Sequence, residues 1–218
     1  IEPMFTIARG MHAEEATYCG QIIARADSDI ESVKDIAGKK FAYVDPASTS
    51  GFILPRALLR EQGVEPAEVV FGQKHDNVVT MVYQGQVDAG ATYFSPAARI
   101  EKDGETVMAI RDARMRVLTQ FPDVEEKVKI VTFTEEVPNE PWVIRSNLFE
   151  DADLNARVKQ YIKEALQEFA TTEAGKQALW TVATGTGLVP ATQETYDRIR
   201  RMILDSNTDL TGALGKKG

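Results

Sequence analysis

Short apolar runs alternate with amphipathic stretches over the first two thirds of the chain. Runs of β-branched and aromatic residues predict strands at residues 21–25, 40–44, 69–71, 87–93, 129–133 and 142–145. Helical spacing or helix start signals predict helices at residues 30–36, from a cap at 48–50 to Gly63, and at 75–85, 96–101 and 112–127. Strands that alternate with helices favour an α/β fold with a mostly parallel sheet.

The last third of the chain changes character, because three helical patterns follow one another there. They cover residues 154–170, 172–182 and 192–204. The change near Pro138 indicates that the chain leaves one lobe and packs its helices against another. We therefore expect two lobes joined by a hinge, crossed near residues 18–22 and 136–142. Residues 20–136 form the second lobe in this interpretation, and residues 1–19 and 137–218 belong to the first.

Composition and charge exclude several classes of protein. With 43% apolar and 27% charged residues the chain is ordinary for a globular protein, and no apolar run is long enough to span a membrane. The net charge of −8 comes from interspersed acids and bases, which argues against a nucleic-acid surface. The only cysteine, Cys19, cannot form an intramolecular disulfide, so cysteine usage does not identify the compartment.

The segment DPASTSG, residues 45–51, lies between a predicted strand and a predicted helix. Ser48, Thr49 and Ser50 place three hydroxyls beside the unpaired backbone N–H groups of a first helical turn. The helix dipole favours negative charge at that position, and Gly51 allows close approach to the backbone. A tetrahedral oxyanion suits such donors. The alternative is that these residues only cap the helix.

His75 begins the next predicted helix, so a parallel sheet would bring it to the same strand-end edge, where ligands bind in open α/β folds. A helix N-terminus lowers the pKa of an imidazole, so His75 is expected to act as a neutral donor. A capping or surface histidine is the alternative. Nucleophilic Ser-His chemistry is disfavoured, because no G-x-S-x-G elbow surrounds Ser48 or Ser50.

Three aromatic residues at predicted strand ends, Tyr18, Tyr93 and Trp142, are candidates for the wall of a cleft. Glu140 stands in the rigid break Asn-Glu-Pro, where a solvated loop acid is the alternative. Asp88 is expected to fix backbone. The chain shows no spaced His, Cys and Asp set and no cofactor motif, so we expect no metal, no cofactor and no enzyme activity.

At this point the residues resemble a known family. The segments SVKDIAGKKFAYVDPASTSGFILPRALL, HDNVVTMVYQGQVDAGAT and VPNEPWVIRSNL are similar to the phosphate- and phosphonate-binding proteins of the PhnD type, as are TTEAGKQAL and GLVPATQETYDRIRRM. The resemblance covers the chain from Tyr18 to about Ile203. It implies a periplasmic-binding-protein-like fold and a solute-binding component of an ABC importer.

The resemblance also implies roles for individual residues. Ser48, Thr49, Ser50 and His75 would bind the oxygens of a phosphonate or related anion in an interlobe cleft. Tyr18 would contact the ligand, and Glu140 would contact the amino group of an aminoalkylphosphonate. Tyr93 is expected to contact the ligand from its place at a predicted strand end. The stretch Tyr93-Phe94-Ser95 departs from the family, because an acid is expected there. Phosphite, phosphate and alkylphosphonate therefore remain alternatives.

The family begins with a further β-α-β-α segment before Tyr18, so we expect the first lobe of this chain to be incomplete. Its implied partners are the small anion and an ABC permease, with no nucleic acid. Its implied location is the periplasm or a lipid anchor at the outer face of the cell membrane. A ligand-sensing input domain of a signalling protein is the alternative function.

Overall fold

The computed structural model describes residues 1–9, 15–102 and 105–205; within residues 96–111 it describes the backbone alone. The strands, in chain order, are β1 Glu2–Ala8, β2 Thr17–Arg25, β3 Lys40–Tyr43, β4 Glu68–Phe71, β5 Ala89–Lys102, β6 Glu105–Asp112, β7 Val128–Pro138, β8 Pro141–Ile144 and β9 Gly187–Pro190. The α-helices are α1 Leu54–Glu61, α2 His75–Tyr83, α3 Val124–Lys127, α4 Ala152–Thr171, α5 Glu173–Ala183 and α6 Asp197–Asp205. Short 3-10 turns lie at Val33–Ile36, Ala113–Val117 and Glu194–Tyr196.

The described residues divide into two compact units. The first unit comprises Ile1–Thr17, Pro96–Ile110 and Val137–Arg198. The second unit comprises Tyr18–Ser95, Arg111–Glu136 and the chain from Ile199 to the last described residue, Asp205. The sequence predicts boundaries at residues 19/20 and 136/137, whereas the units divide at 17/18 and 136/137. The first unit also includes residues 96–110, and the second also includes the end of α6.

The second unit contains a sheet of order β4-β3-β5-β2-β7. β5 continues beyond Ser95 into residues assigned to the first unit, and β6 pairs with β5. Strands β4, β3 and β5 run parallel, while β2 runs antiparallel to β5, with Gly20 opposite Tyr93. The sheet is therefore mixed, and the expectation of a mostly parallel sheet holds only for its β4-β3-β5 part. The reason is non-local, because β2 precedes the first crossover helix and its direction is set by pairing with β5 and not by a local pattern.

Alternation along the central strands explains the core of the second unit. Ile22 and Phe41 lie in one apolar layer, which includes Leu59 of α1, while Ile23 and Ala42 lie in another, which includes Val78 of α2. Because successive side chains of a strand point to opposite faces, α1 packs against one face of the sheet and α2 against the other. This arrangement brings the N-terminal ends of both helices to the same edge of the sheet.

The first unit contains an antiparallel sheet of order β8-β1-β9 and the helices α4 and α5. Strands β1 and β9 were not predicted. Residues 4–8 of β1 are buried throughout, so the strand shows no polar–apolar alternation, and β9 has four residues that end at a proline. Neither segment has the pattern by which a half-buried strand is identified in sequence.

Three other expectations were wrong in detail. Residues 96–101, predicted as a helical turn, belong to strand β5. The helix expected at residues 30–36 is a 3-10 turn of four residues, and the helix expected over 112–127 is reduced to the turn Ala113–Val117 and α3. None of the helices that the structure describes is both long and apolar enough to cross a bilayer.

Candidate anion-binding site

The segment 45–51 and His75 follow neighbouring parallel strands, β3 and β4, at their carboxyl ends. The loop before His75 is tied to the end of β3, because Gly72 N donates to the Tyr43 carbonyl at 2.8 Å and Gln73 N donates to the Val44 carbonyl at 2.8 Å. The structure therefore places both candidate segments at one edge of the sheet, where open α/β folds bind ligands.

Thr49 and Ser50 begin a turn of π-helix, Thr49–Ile53, that leads directly into α1, and Ser48 immediately precedes this turn. Ser48 is its cap: its Oγ accepts a hydrogen bond from Gly51 N at 3.1 Å, and its carbonyl accepts one from Ile53 N at 3.0 Å. Asp45 turns the chain into this segment by accepting a hydrogen bond from Ala47 N at 2.9 Å. Turns of π-helix are rare and occur frequently at functional sites.

Close packing holds this turn against the sheet. Gly51 O accepts a hydrogen bond from Val44 N at 3.0 Å, and a Cβ on Gly51 would lie 2.4 Å from Val44 Cγ2. On β2, a Cβ on Gly20 would lie 2.7 Å from the carbonyl oxygen of Ser50. Glycine is therefore required at both positions, and Ser50 is left only 4% exposed. Tyr18 lies two residues before Gly20 on β2, so its side chain is on the face of the strand where Gly20 meets Ser50.

His75 is the first residue of α2, and its ring meets the ring of Tyr93 edge to face, with centroids 4.8 Å apart and planes at 85°. Burial, and to a lesser extent the positive charge of Arg116, lower the pKa of His75 to about 4, against the opposing effect of Asp76 and Asp45. The imidazole is therefore neutral at pH 7. Its Nδ1 atom is buried without a hydrogen-bond partner in the part of the chain that the structure describes.

Arg116 is a member of this cluster that sequence reasoning missed. Its guanidinium pairs with the carboxylate of Asp76, at 2.5 Å from Nε to Oδ1 and 3.4 Å from Nη2 to Oδ2. Its interaction with the Tyr93 hydroxyl lowers the pKa of that phenol, against the larger raising effect of burial. Arg116 lies 40 residues from Asp76 in a stretch predicted to be helical, so no local signal pointed to it.

The predicted site residues divide between the two units. Ser48, Thr49, Ser50, His75, Tyr18 and Tyr93 all belong to the second unit. Glu140 belongs to the first unit, where its carboxylate is 2.5 Å from Nη1 of Arg9. Trp142 also lies in the first unit, on β8 opposite Phe5. Asp88 fixes backbone, as predicted, by accepting a hydrogen bond from Lys40 N at 2.7 Å.

Reactive chemistry has little support in these surroundings. Burial, together with the charge of Glu136, raises the pKa of the Cys19 thiol to about 11, which keeps it in the inert protonated form. Within the described residues, no three His, Cys, Asp or Glu side chains are placed to hold a metal ion. What the edge of the sheet offers is a set of neutral hydrogen-bond donors.

Comparison with known proteins identifies the family of this chain. The family model for the phosphonate periplasmic substrate-binding proteins of ABC transporters matches residues 2–196. The phosphate-import protein PhnD of Mycolicibacterium smegmatis is 29% identical over 207 residues, which are 90% of this chain and 59% of that protein. The chain thus spans about three fifths of the length of this curated relative.

Solved structures show the same fold. A binding protein of an ABC phosphonate transporter from Pseudomonas aeruginosa superposes with a TM-score of 0.64 and 18% identity, over 99% of this chain and 65% of its own. PhnD1 from Prochlorococcus marinus, in complex with methylphosphonate, gives 0.63 and 18%, over 93% and 72%. A Xanthomonas citri protein bound to chloride gives 0.69 and 19%, over 93% and 68%. Since the family model covers nearly the whole sequence, the chain belongs to the phosphonate-binding periplasmic proteins of ABC transporters, a family of transport proteins and not of enzymes.

Proposed function

We propose that this chain carries the anion-binding part of a solute-binding protein that delivers a phosphorus oxyanion to an ABC importer. The observation that carries the proposal is the placement of the Ser48–Ser50 turn and His75 at the ends of two adjacent parallel strands, each at the start of a helix. Both segments present donors to the same edge of one sheet.

The donors suit a tetrahedral anion for three reasons: there are several of them, they are neutral, and the packing of the turn against the sheet fixes their positions. The hydroxyls of Ser48, Thr49 and Ser50 and the backbone N–H groups of the turn supply short hydrogen bonds, which are stronger to an ionised acceptor than to a neutral one. A neutral His75 supplies one N–H donor from its ring. The helix dipoles of this edge add potential that favours negative charge.

The ligand class is inferred from these donors together with the relatives. One relative is a phosphate-import protein and one structural neighbour holds methylphosphonate, which supports a range from phosphate to alkylphosphonate. An ammonium-bearing ligand has less support. Ser95, where the family places an acid, is a buried serine, and the Glu140 carboxylate is already paired with Arg9.

The partner and the location follow from the family. We propose that the protein docks on a membrane permease and works in the periplasm or from an anchor at the outer face of the cell membrane. A sensory role has no observation in its favour, because the matching family model and relatives are import proteins.

Calorimetry with Ser50→Ala and His75→Ala tests the site. Each change removes a hydrogen bond to a charged group, so each is expected to weaken binding of methylphosphonate or phosphate by about 1.5–3 kcal/mol. Ser28→Ala is a matched control, because Ser28 donates to the carbonyl of Arg25 at the opposite end of β2 from Tyr18. The control should bind as the unchanged protein does.

The ligand panel should contain phosphite, phosphate, methylphosphonate and 2-aminoethylphosphonate. Unchanged affinity of both alanine variants for every member would contradict the assignment of the site. A clear preference for 2-aminoethylphosphonate would restore Glu140 as a ligand contact.

A further inference from the structure

We propose that Arg116 is a positioning residue of the anion site: it neutralises Asp76 beside the bound anion and holds Tyr93 against His75. The inference rests on the proposed function. It explains how an anion can bind at an edge of the sheet where two acidic residues, Asp45 and Asp76, also lie. Arg116 lies in the turn Ala113–Val117, outside both segments that supply the proposed donors.

The problem that Arg116 solves is electrostatic. Asp76 follows His75 directly in the first turn of α2, and Asp45 precedes the Ser48–Ser50 turn. A carboxylate within a few ångströms of a bound anion opposes binding, since like charges repel most where water is partly excluded. Asp45 is engaged by the backbone N–H of Ala47, whereas the partner of Asp76 is the guanidinium of Arg116.

Arg116 acts on two groups around His75. Its Nε and Nη2 meet the two carboxylate oxygens of Asp76, and its interaction with the Tyr93 hydroxyl lowers the pKa of that phenol. Tyr93 in turn meets the His75 ring edge to face at 4.8 Å. A planar, forked guanidinium can bridge a carboxylate and a phenol in this way, and a lysine ammonium lacks that fork.

The charged groups that face His75 come from three elements. Asp76 lies on its own helix, Asp45 lies in the loop after β3, and Arg116 lies in the turn packed against α2. The two acids raise the pKa of His75, whereas Arg116 and burial lower it. Removing Arg116 therefore leaves the charge of Asp76 uncompensated. The uncompensated carboxylate weakens binding of the anion and raises the pKa of His75.

Ordinary surface ion pairs contribute little to stability and nothing to a remote ligand. Arg25 and Asp27 form such a pair at the opposite end of β2 from Tyr18. Like the Arg116–Asp76 pair, it is exposed and bidentate. If Arg116–Asp76 were only a surface pair of this kind, breaking either pair would have the same negligible effect on ligand affinity. The two pairs therefore form a matched comparison.

The test measures the dissociation constant for methylphosphonate by calorimetry at pH 7. Arg116→Met is expected to weaken binding by about tenfold, and Arg116→Lys by less, because the lysine keeps the charge. Adding Asp76→Asn to Arg116→Met should return the affinity to within about threefold of the unchanged protein, since the uncompensated carboxylate is then gone. Arg25→Met should bind normally.

A second readout needs no ligand. The chain has two histidines, so the His75 resonance is assigned by its loss in His75→Gln, and its titration is followed by NMR. The His75 pKa should rise in Arg116→Met and fall back when Asp76→Asn is added. A rescue by Asp76→Asn is not expected of a merely structural arginine.

Two binding results would overturn the proposal: binding by Arg116→Met within twofold of the unchanged protein, or a double variant that binds no better than Arg116→Met. An unchanged His75 titration in Arg116→Met would also contradict it. If the unchanged protein binds none of the phosphorus oxyanions, the proposed function fails, and the NMR titration alone then decides whether Arg116 controls His75.

Discussion

At the scale of residues, His75 shows how surroundings change the chemistry of a side chain. Its place at a helix N-terminus predicted a lowered pKa, and in the structure burial is the largest cause of a pKa of about 4. The nearby charge of Arg116 acts in the same direction. A neutral imidazole carries both a donor and an acceptor nitrogen, so His75 can serve an anion without titrating between pH 6 and 8.

The lowered pKa makes stability depend on the protonation of His75. Above an unfolded-state pKa of about 6.5 the histidine is neutral in both states, and below it the unfolded chain takes up the proton first. Stability should therefore fall as the pH drops from about 6.5 to about 4, by about 2–3 kcal/mol from this one residue. Urea unfolding at pH 7.5 and 4.5 measures the loss.

His75→Gln is the control for this measurement. Carboxylates titrate in both proteins and cancel in the comparison, so the variant should lose less stability between the two pH values. Parallel losses in the two proteins would show that His75 is solvated and titrates normally.

At the scale of elements, the turn Thr49–Ile53 is the feature that aims the proposed donors. The sequence DPASTSG predicted a capped helix start, and the structure has the cap at Ser48, with a turn of π-helix as the first turn. The wider turn follows from packing, because Gly51 lies directly against Val44 and Ser50 lies against Gly20.

Gly51→Ala is expected to damage stability and binding together. The added Cβ would lie 2.4 Å from Val44 Cγ2 and 2.8 Å from Ser48 Oγ, so the turn must shift away from β3. We expect a cost of about 1–3 kcal/mol in thermal or urea unfolding, and weaker methylphosphonate binding by calorimetry.

Gly38→Ala is the matched control. Gly38 has a positive φ of 73° and no atom within 4 Å of an added Cβ, so its alanine strains the backbone without touching the turn. It should lower stability by about 1 kcal/mol and leave binding unchanged. Equal effects of the two variants on binding would mean that the turn does not position the ligand.

At the scale of the whole molecule, an acidic chain with a net charge of −8 carries a proposed anion site, which is possible because the donors are local and neutral. The chain leaves the second unit after Ser95 and returns to it at residue 111, before β7. A buried polar network stands at that entry. Asp112 is 2% exposed, accepts a hydrogen bond from Gln21 Nε2 at 2.7 Å, and pairs with Arg114.

Asp112→Asn is expected to destabilise the second unit strongly. The buried Arg114 would lose its counter-charge while its Nη1 still donates to the Val128 carbonyl, and breaking a buried pair from one side costs about 3–5 kcal/mol. Urea unfolding measures this loss. Asp27→Asn, which breaks an exposed pair, is the control and should change little. A similar small effect of both would show that the network is hydrated.

The sequence by itself determined the α/β class, strand β3, helix α2, the long helix α4 and the segment 45–51, because each depends on local periodicity, capping or turn residues. The family resemblance added the expected donors, Ser48–Ser50 and His75. Tertiary structure decided what depends on distant parts of the chain. It set the antiparallel direction of β2, the strands β1 and β9, the strand at residues 96–101 and the place of Glu140 beside Arg9.

The same reason explains why the role of Arg116 could not be predicted from the sequence. Residues 40 positions apart meet only after the sheet has formed and both turns have packed against it, and no spacing in the chain records that meeting. The pattern along the chain therefore predicts which groups can bind an anion. Folding decides which charges stand beside those groups and whether His75 is neutral.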